Sequence, residues 1–171
     1  MSRKGLSKSR LGSKKAAVMI LASIIFAIVL ASVFTYYERL RQENYVIAIQ
    51  RINVEAKQLT EHYSNEYSRW SDGLIDDALM VEIVDSIISK QWRLIEFMRG
   101  MDVPESYKEA HRYNLLSMEY EYESYRYFKE YFMSKDETNL KKAQELLQLA
   151  FENEVRALSL YNGKGLILPQ G

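Results

Sequence analysis

Cysteine is absent from the chain, which excludes disulfides, thiolate catalysis and cysteine-ligated zinc or iron–sulfur centres. Histidine is scarce, with His62 and His111 the only two. A carboxylate-bridged metal pair in a helical bundle needs Glu-x-x-His repeats and two further inward glutamates. Neither histidine has a glutamate three residues earlier, and Glu61 and Glu109 stand at the wrong spacing. No Gly-rich phosphate loop, Ser/His/Asp arrangement or haem-attachment motif occurs, and Gly163-Lys164-Gly165 is too short to count as one. The expectation is a protein that is not an enzyme, with no catalytic, cofactor-binding or metal-ligating residue. Breakers are scarce as well: two prolines and seven glycines, most of them near the termini, leave few places to turn in 171 residues. The chain reads as all-α.

What is present in force is one apolar run, Ala16 to Tyr37, whose 22 residues carry no charge. At 1.5 Å per residue it reaches about 33 Å, enough to cross the hydrocarbon core of a bilayer. Residues 1–15 hold Arg3, Lys4, Lys8, Arg10, Lys14 and Lys15 and no acid, while the whole chain is neutral. Residues 16–171 therefore carry a charge of −6. Six cations precede the run, against three (Arg39, Arg41 and Arg51) in the fifteen residues after it. Lys and Arg flanking a span favour the cytoplasmic side, so the N-terminus is expected inside and residues 38–163 outside the cell membrane. Tyr36 and Tyr37 are then the membrane-interface residues at the outer headgroups. A cleavable signal peptide has a shorter core and a small-x-small exit; here the exit is Val33-Phe34-Thr35-Tyr36-Tyr37, so an uncleaved signal-anchor is favoured. The short basic tail and acidic remainder argue against nucleic acid as a partner. Arg3-Lys4-Gly5-Leu6-Ser7 resembles the processing site of archaeal type IV pilins, but Lys8, Arg10, Lys14 and Lys15 intervene before the apolar segment.

Punctuation then divides the remainder. Ser71-Asp72-Gly73 is one break, Gly100 to Pro104 the second, and Ser134-Lys135-Asp136-Glu137 the third. The third reads as a capping box, with Ser134 and Glu137 exchanging hydrogen bonds. Gly163 closes the last segment. The expected helices cover about 38–70, 73–99, 104–133 and 136–162. Four helices of matched length with short loops predict an up-down antiparallel four-helix bundle behind the single transmembrane helix. The domains are a basic cytoplasmic tail (1–15), the anchor (16–37), the extracytoplasmic bundle (38–163) and an apolar tail (164–171). That tail either returns to the bilayer, enters a neighbouring subunit or closes its own bundle.

Helical spacing places Tyr45, Ile49, Ile52, Ala56, Leu59, Tyr63 and Trp70 on one stripe, with Ile47 and Val54 on the far side. The second helix has an apolar half including Val84, Ile87, Trp92, Ile95 and Met98. In the third, Tyr107, His111, Leu115, Met118, Tyr122, Tyr125 and Phe132 share a face. In the fourth, Ala143, Ala150 and Ala157 recur every seven residues, which lets the two helices approach closely. His111 is expected as a hydrogen-bonded core histidine. The chain has 13 tyrosines, and a second stripe lies opposite the third helix's core face: Tyr113, Leu116, Tyr120, Tyr127 and Tyr131. These five are the candidate partner-binding residues, since a row of rings offers large contact area at low entropic cost. Packing against another helix of the same bundle is the competing use of that stripe.

From Pro104 to Tyr161 the pattern Pro-Glu-x-Tyr-x-x-Ala-His, an aromatic and acidic helix, Ser-x-Asp-Glu and a helix with alanine at each heptad is similar to poorly characterised exported, membrane-anchored helical-bundle domains of prokaryotes. The resemblance implies a helical fold and transfers no catalytic residue. The expected function is an interaction or scaffold protein, or an accessory subunit of a membrane complex, with the lipid bilayer and a protein as partners. The alternative is an extracytoplasmic domain that senses a small-molecule ligand and signals through a separate partner.

Overall fold

The computed structural model describes the backbone of residues 7–166 and the side chains of residues 19–166. Among these residues there are four α-helices and no strand: α1 (Ser7–Ser71), α2 (Asp77–Arg99), α3 (Lys108–Ser134) and α4 (Glu137–Asn162). A single 3-10 turn, Glu105–Tyr107, leads into α3. Ile167, Leu168 and Pro169 of the apolar tail lie outside the described residues, as do Arg3 and Lys4. The chain divides between Gln42 and Glu43 into two compact units.

In the first unit every side chain from 19 to 37 is exposed, and α1 is long and apolar enough there to cross a membrane. Its few polar side chains are satisfied within the helix. Ser23, Ser32 and Thr35 donate to the carbonyls of Met19, Ile28 and Ala31, one turn back, at 2.8–2.9 Å. That leaves no serine or threonine hydroxyl of this segment in need of water, as an apolar surrounding requires. The Tyr36 and Tyr37 rings meet edge to face and are exposed.

The second unit holds the core. From α1 it buries Tyr45, Ile49, Ile52 and Tyr63, while Ile47 and Val54 are exposed, as helical spacing predicts. Contacts between α1 and α3 climb together in number: Tyr45 with His111, Asn53 with Asn114, Thr60 with Glu121, Tyr63 with Tyr125. Those between α2 and α3 run in opposite order, Arg99 meeting Glu119, Gln91 Glu121 and Asp85 Lys129. The α3–α4 contacts also descend: Tyr107 lies against Tyr161, and Ser117 donates to the Ala150 carbonyl at 2.8 Å. Ala143, Ala150 and Ala157 are all buried, so the alanine heptad is where α3 and α4 close on each other.

Three local readings need correction. The second helix begins at Asp77, not at residue 73, because Gly73 takes a left-handed φ of 73° and Asp76 accepts from the Leu79 backbone amide at 2.8 Å as N-cap. The third α-helix starts at Lys108, since Pro104 heads a separate 3-10 turn. The capping box does not form. Asp136 caps α4 through the Thr138 amide at 2.8 Å, whereas the Ser134 hydroxyl donates back to Glu130. A carboxylate two residues closer to the helix start takes that place.

Lys135 ends α3 in a left-handed conformation (φ 57°), unusual for a residue with a side chain. Its ammonium group pairs with Asp77 and lies 4.9 Å from the centre of the Trp70 ring. The Trp70 indole donates to Asp77 at 2.8 Å. The Lys135 bond, followed by that of Trp70, holds the Asp77 carboxyl below its ordinary range. One cluster thus ties together the end of α1, the start of α2 and the α3–α4 turn.

Candidate functional site

The tyrosine stripe of α3 is half-buried along its whole length: Tyr113, Leu116, Tyr120, Tyr127 and Tyr131 are each neither core nor fully exposed. The cause is the position of α3, which touches α1, α2 and α4, so the sides of the helix as well as its core face are covered. Tyr127 and Tyr131 pack against the core around Tyr63 and Phe132, and Tyr131 meets the Trp70 ring edge-on. Tyr113 packs against the core around Tyr45 and lies beneath the Arg112 and Arg156 guanidinium groups at 4.2 and 5.7 Å.

Larger exposed apolar side chains lie elsewhere. Ile47 on α1 and Phe97 on α2 are 66% and 58% exposed. They flank a groove that Asn44, Arg51, Arg93 and Leu94 also line. On α4, Phe151 and Val155 are exposed. Trp92 is exposed too, contrary to its expected place in the apolar half of α2; its neighbour Gln91 is fully buried instead. Gln91 continues the buried row Val84, Ile87, Ile95 and Met98, while Trp92 is turned 100° away, its ring against Tyr122.

Gln91 belongs to a polar seam that hydrophobic spacing did not reveal. Its amide nitrogen donates to Glu121 at 2.9 Å. The Glu121 carboxylate also accepts from Thr60 at 2.6 Å and Tyr125 at 2.7 Å. About two turns along, Asn114 donates to Asn53 at 3.1 Å. Burial raises the Glu121 carboxyl above its ordinary value, and nearby Glu154 adds to the effect, while the three donors work against it. Beside this seam lies a cavity of about 260 Å³ between α1, α3 and α4, walled by Asn53, Thr60, Asn114, Ser117, Glu121 and Glu154 and by apolar side chains including Met118, Leu147 and Leu158. A signal for it was present: Glu121 stands three residues after Met118 and four before Tyr125, a carboxylate on an apolar face.

At the other end of the core, Tyr45 bonds Tyr161 at 2.7 Å and His111 Nδ1 at 3.2 Å. His111 is buried, as its spacing predicted. Burial pushes its imidazole below the ordinary value, against the pull of a bond to the Met98 carbonyl. Burial likewise raises the Tyr161 phenol to about 12, so this network is neutral at physiological pH. Leu166 is buried against it, which places the first apolar residue of the tail in its own chain's core. His62 is exposed beside Glu66. Among the described residues no three metal-ligating side chains converge.

Comparison with known proteins finds no matching family, no matching curated sequence and no matching solved structure.

Proposed function

We propose that this chain is a single-pass membrane protein, held by a signal-anchor over residues 16–37 with its N-terminus in the cytoplasm. Outside the cell membrane it presents an up-down antiparallel four-helix bundle that acts as an interaction or scaffold protein, or as an accessory subunit of a membrane complex, without catalysing a reaction. The ascending α1–α3 contacts and the descending α2–α3 and α3–α4 contacts support that topology. The basic tail and the exposed apolar helix support the anchor and its orientation. The observation that carries the interaction reading is the α1–α2 groove. Ile47 and Phe97 expose large apolar side chains beside Arg51 and Arg93, the mixture of apolar anchor and arginine from which interface hot spots are built.

The test is purification of the full-length protein from its native membrane in mild detergent, with co-purifying proteins identified by mass spectrometry. A stoichiometric partner is expected, and Ile47→Asp with Phe97→Asp should release it. Release by Tyr120→Ala with Tyr127→Ala instead would move the partner face to the α3 stripe. A chain that purifies alone would overturn the reading.

The cavity beside Glu121 favours a second reading, a ligand-sensing domain that signals through a separate partner. A concave site with convergent polar groups is what a small ligand needs and a convex helix face lacks.

A further inference from the structure

The groove between α1 and α2 extends beyond the stretch around Ile47 and Phe97. Past Glu55, Arg93 and Leu94, which line both parts, it continues between Gln58 and His62 of α1 and Lys90 of α2. From Ile47 to His62 α1 rises about 22 Å, the length of a helix of about 15 residues. Its charges do not cancel. Arg51 donates to Glu55 at 2.9 Å, and Glu96, the carboxylate one turn from Arg93 on α2, is taken by Arg99 at 2.7 Å. Lys90 and Arg93 are exposed and have no ion pair or hydrogen bond among the described residues. With Arg51 they make three cations against one carboxylate in the lining, on a chain whose residues 16–171 carry −6.

Lys90, Arg93 and Phe97 stand at i, i+3 and i+7, on one face of α2. A helix laid along that face answers them with two carboxylates and an apolar side chain at the same spacing, while Ile47 supplies a second apolar wall. A second copy docked groove to groove fits worse. It brings two more cations and no free carboxylate, because Glu55, the one acid of the lining among the described residues, is held by Arg51. A lipid has one charged head and a hydrocarbon body, whereas the groove mixes apolar, cationic and amide side chains along its length. We propose that the groove receives an acidic amphipathic helix of another protein, its carboxylates on Lys90 and Arg93 and its apolar side chains against Ile47 and Phe97. The inference names the partner's chemistry for the interaction reading above and rests on that reading.

The experiment offers a displayed library of random peptides, about 15 residues long to match the groove, to the full-length protein in a nonionic detergent. The selection is repeated on Ile47→Asp with Phe97→Asp. Peptides kept by the wild type and lost by that variant should carry Asp or Glu three or four residues apart beside an apolar stripe. The most enriched peptide should bind Lys90→Gln with Arg93→Gln about tenfold more weakly, the loss of two exposed ion pairs. Added salt should weaken its binding to the wild type and change its binding to the Lys90/Arg93 variant much less. Both cations are exposed, so that variant keeps the fold, which tryptophan fluorescence checks. Enriched peptides without carboxylates, or equal binding by the wild type and the Lys90/Arg93 variant, would overturn the acidic class. No peptide kept by the wild type over the Ile47/Phe97 variant would overturn the groove as a peptide site. Displacement of the peptide by phosphatidylserine added to the micelles would assign the groove to lipid and overturn the proposal. A dimer in detergent that the Ile47/Phe97 variant converts to monomer would assign it to a second copy and overturn the proposal too. Co-purification decides the underlying reading separately: a partner released by Ile47→Asp with Phe97→Asp, beside a failed peptide selection, would keep that reading and overturn the acidic helix alone.

Discussion

Ile49 and Ile47 are chemically identical, two residues apart on α1, and should differ sharply in what their loss costs. Ile49 is fully buried against Tyr45, Ile95, Met98 and Ala157, whereas Ile47 is 66% exposed. Truncation of Ile49 to alanine removes three buried carbons, worth about 2.4 kcal/mol of transfer free energy at about 0.8 kcal/mol each. The space left behind adds a cavity term, which brings the expected loss to about 3–4 kcal/mol. Ile47→Ala removes the same atoms from a mostly solvated face and should stay within about 0.5 kcal/mol. The assay is equilibrium urea unfolding of the full-length protein in detergent, followed by tryptophan fluorescence. Both tryptophans, Trp70 and Trp92, lie in the second unit, so the signal reports that unit and not the apolar segment. At the usual urea dependence, a loss of this size lowers the midpoint by more than about 1 M. Equal losses at the two positions, or a larger one at Ile47, would refute the assignment of the buried face of α1 and with it the packing of α1 on α2 and α3.

Ala143→Trp should cost about 3 kcal/mol or more, because Ala143 is fully buried among the packed rings of Phe128 and Phe132 and leaves no space for another; an unchanged unfolding midpoint would refute that close packing. His111 should make the protein acid-sensitive. Its pKa in the folded state lies below the ordinary 6.5, so its contribution is complete above pH 6.5 and is lost as the pH falls through the folded value. His111→Gln should therefore flatten the stability profile below pH 6.5, and a profile with the wild-type slope would locate the acid sensitivity elsewhere. Asp136→Ala should lower the thermal midpoint more than Ser134→Ala, since Asp136 caps α4 and Ser134 does not; the reverse order would restore the capping box.

Much of the helical layout was legible because its signals are local. Gly73, the Gly100–Pro104 stretch, Asp136 and Gly163 interrupt an otherwise continuous helical pattern, and each marks a break in the structure. Burial on α1 followed from spacing alone, since an apolar residue at 100° increments has one side to hide on. The errors came where a neighbour decides. Gln91 and Trp92 differ by one position, and hydrophobicity assigns the core to the tryptophan. The core takes the glutamine because Glu121 and the Met118 carbonyl are there to receive its amide. The tyrosine stripe was read as either a free face or a packed one; its half-burial follows from three surrounding helices, which no pattern within α3 encodes.

The polar seam also explains why the buried apolar residues form two clusters. One gathers around Ile49, Met118 and Tyr161, the other around Tyr63, Val84 and Phe132. Gln91 and Glu121 stand between Met118 of the first and Tyr125 of the second. Apolar side chains in their place would join the clusters and commonly cost nothing in stability or raise it. The polar pairs do supply register. Asn53 with Asn114 and Thr60 with Glu121 align α1 and α3, and a slip of one turn breaks both pairs. Register alone would be met by the neutral asparagine pair, which needs no ionisable group. A carboxylate raised by burial and placed beside a second one is more than alignment requires.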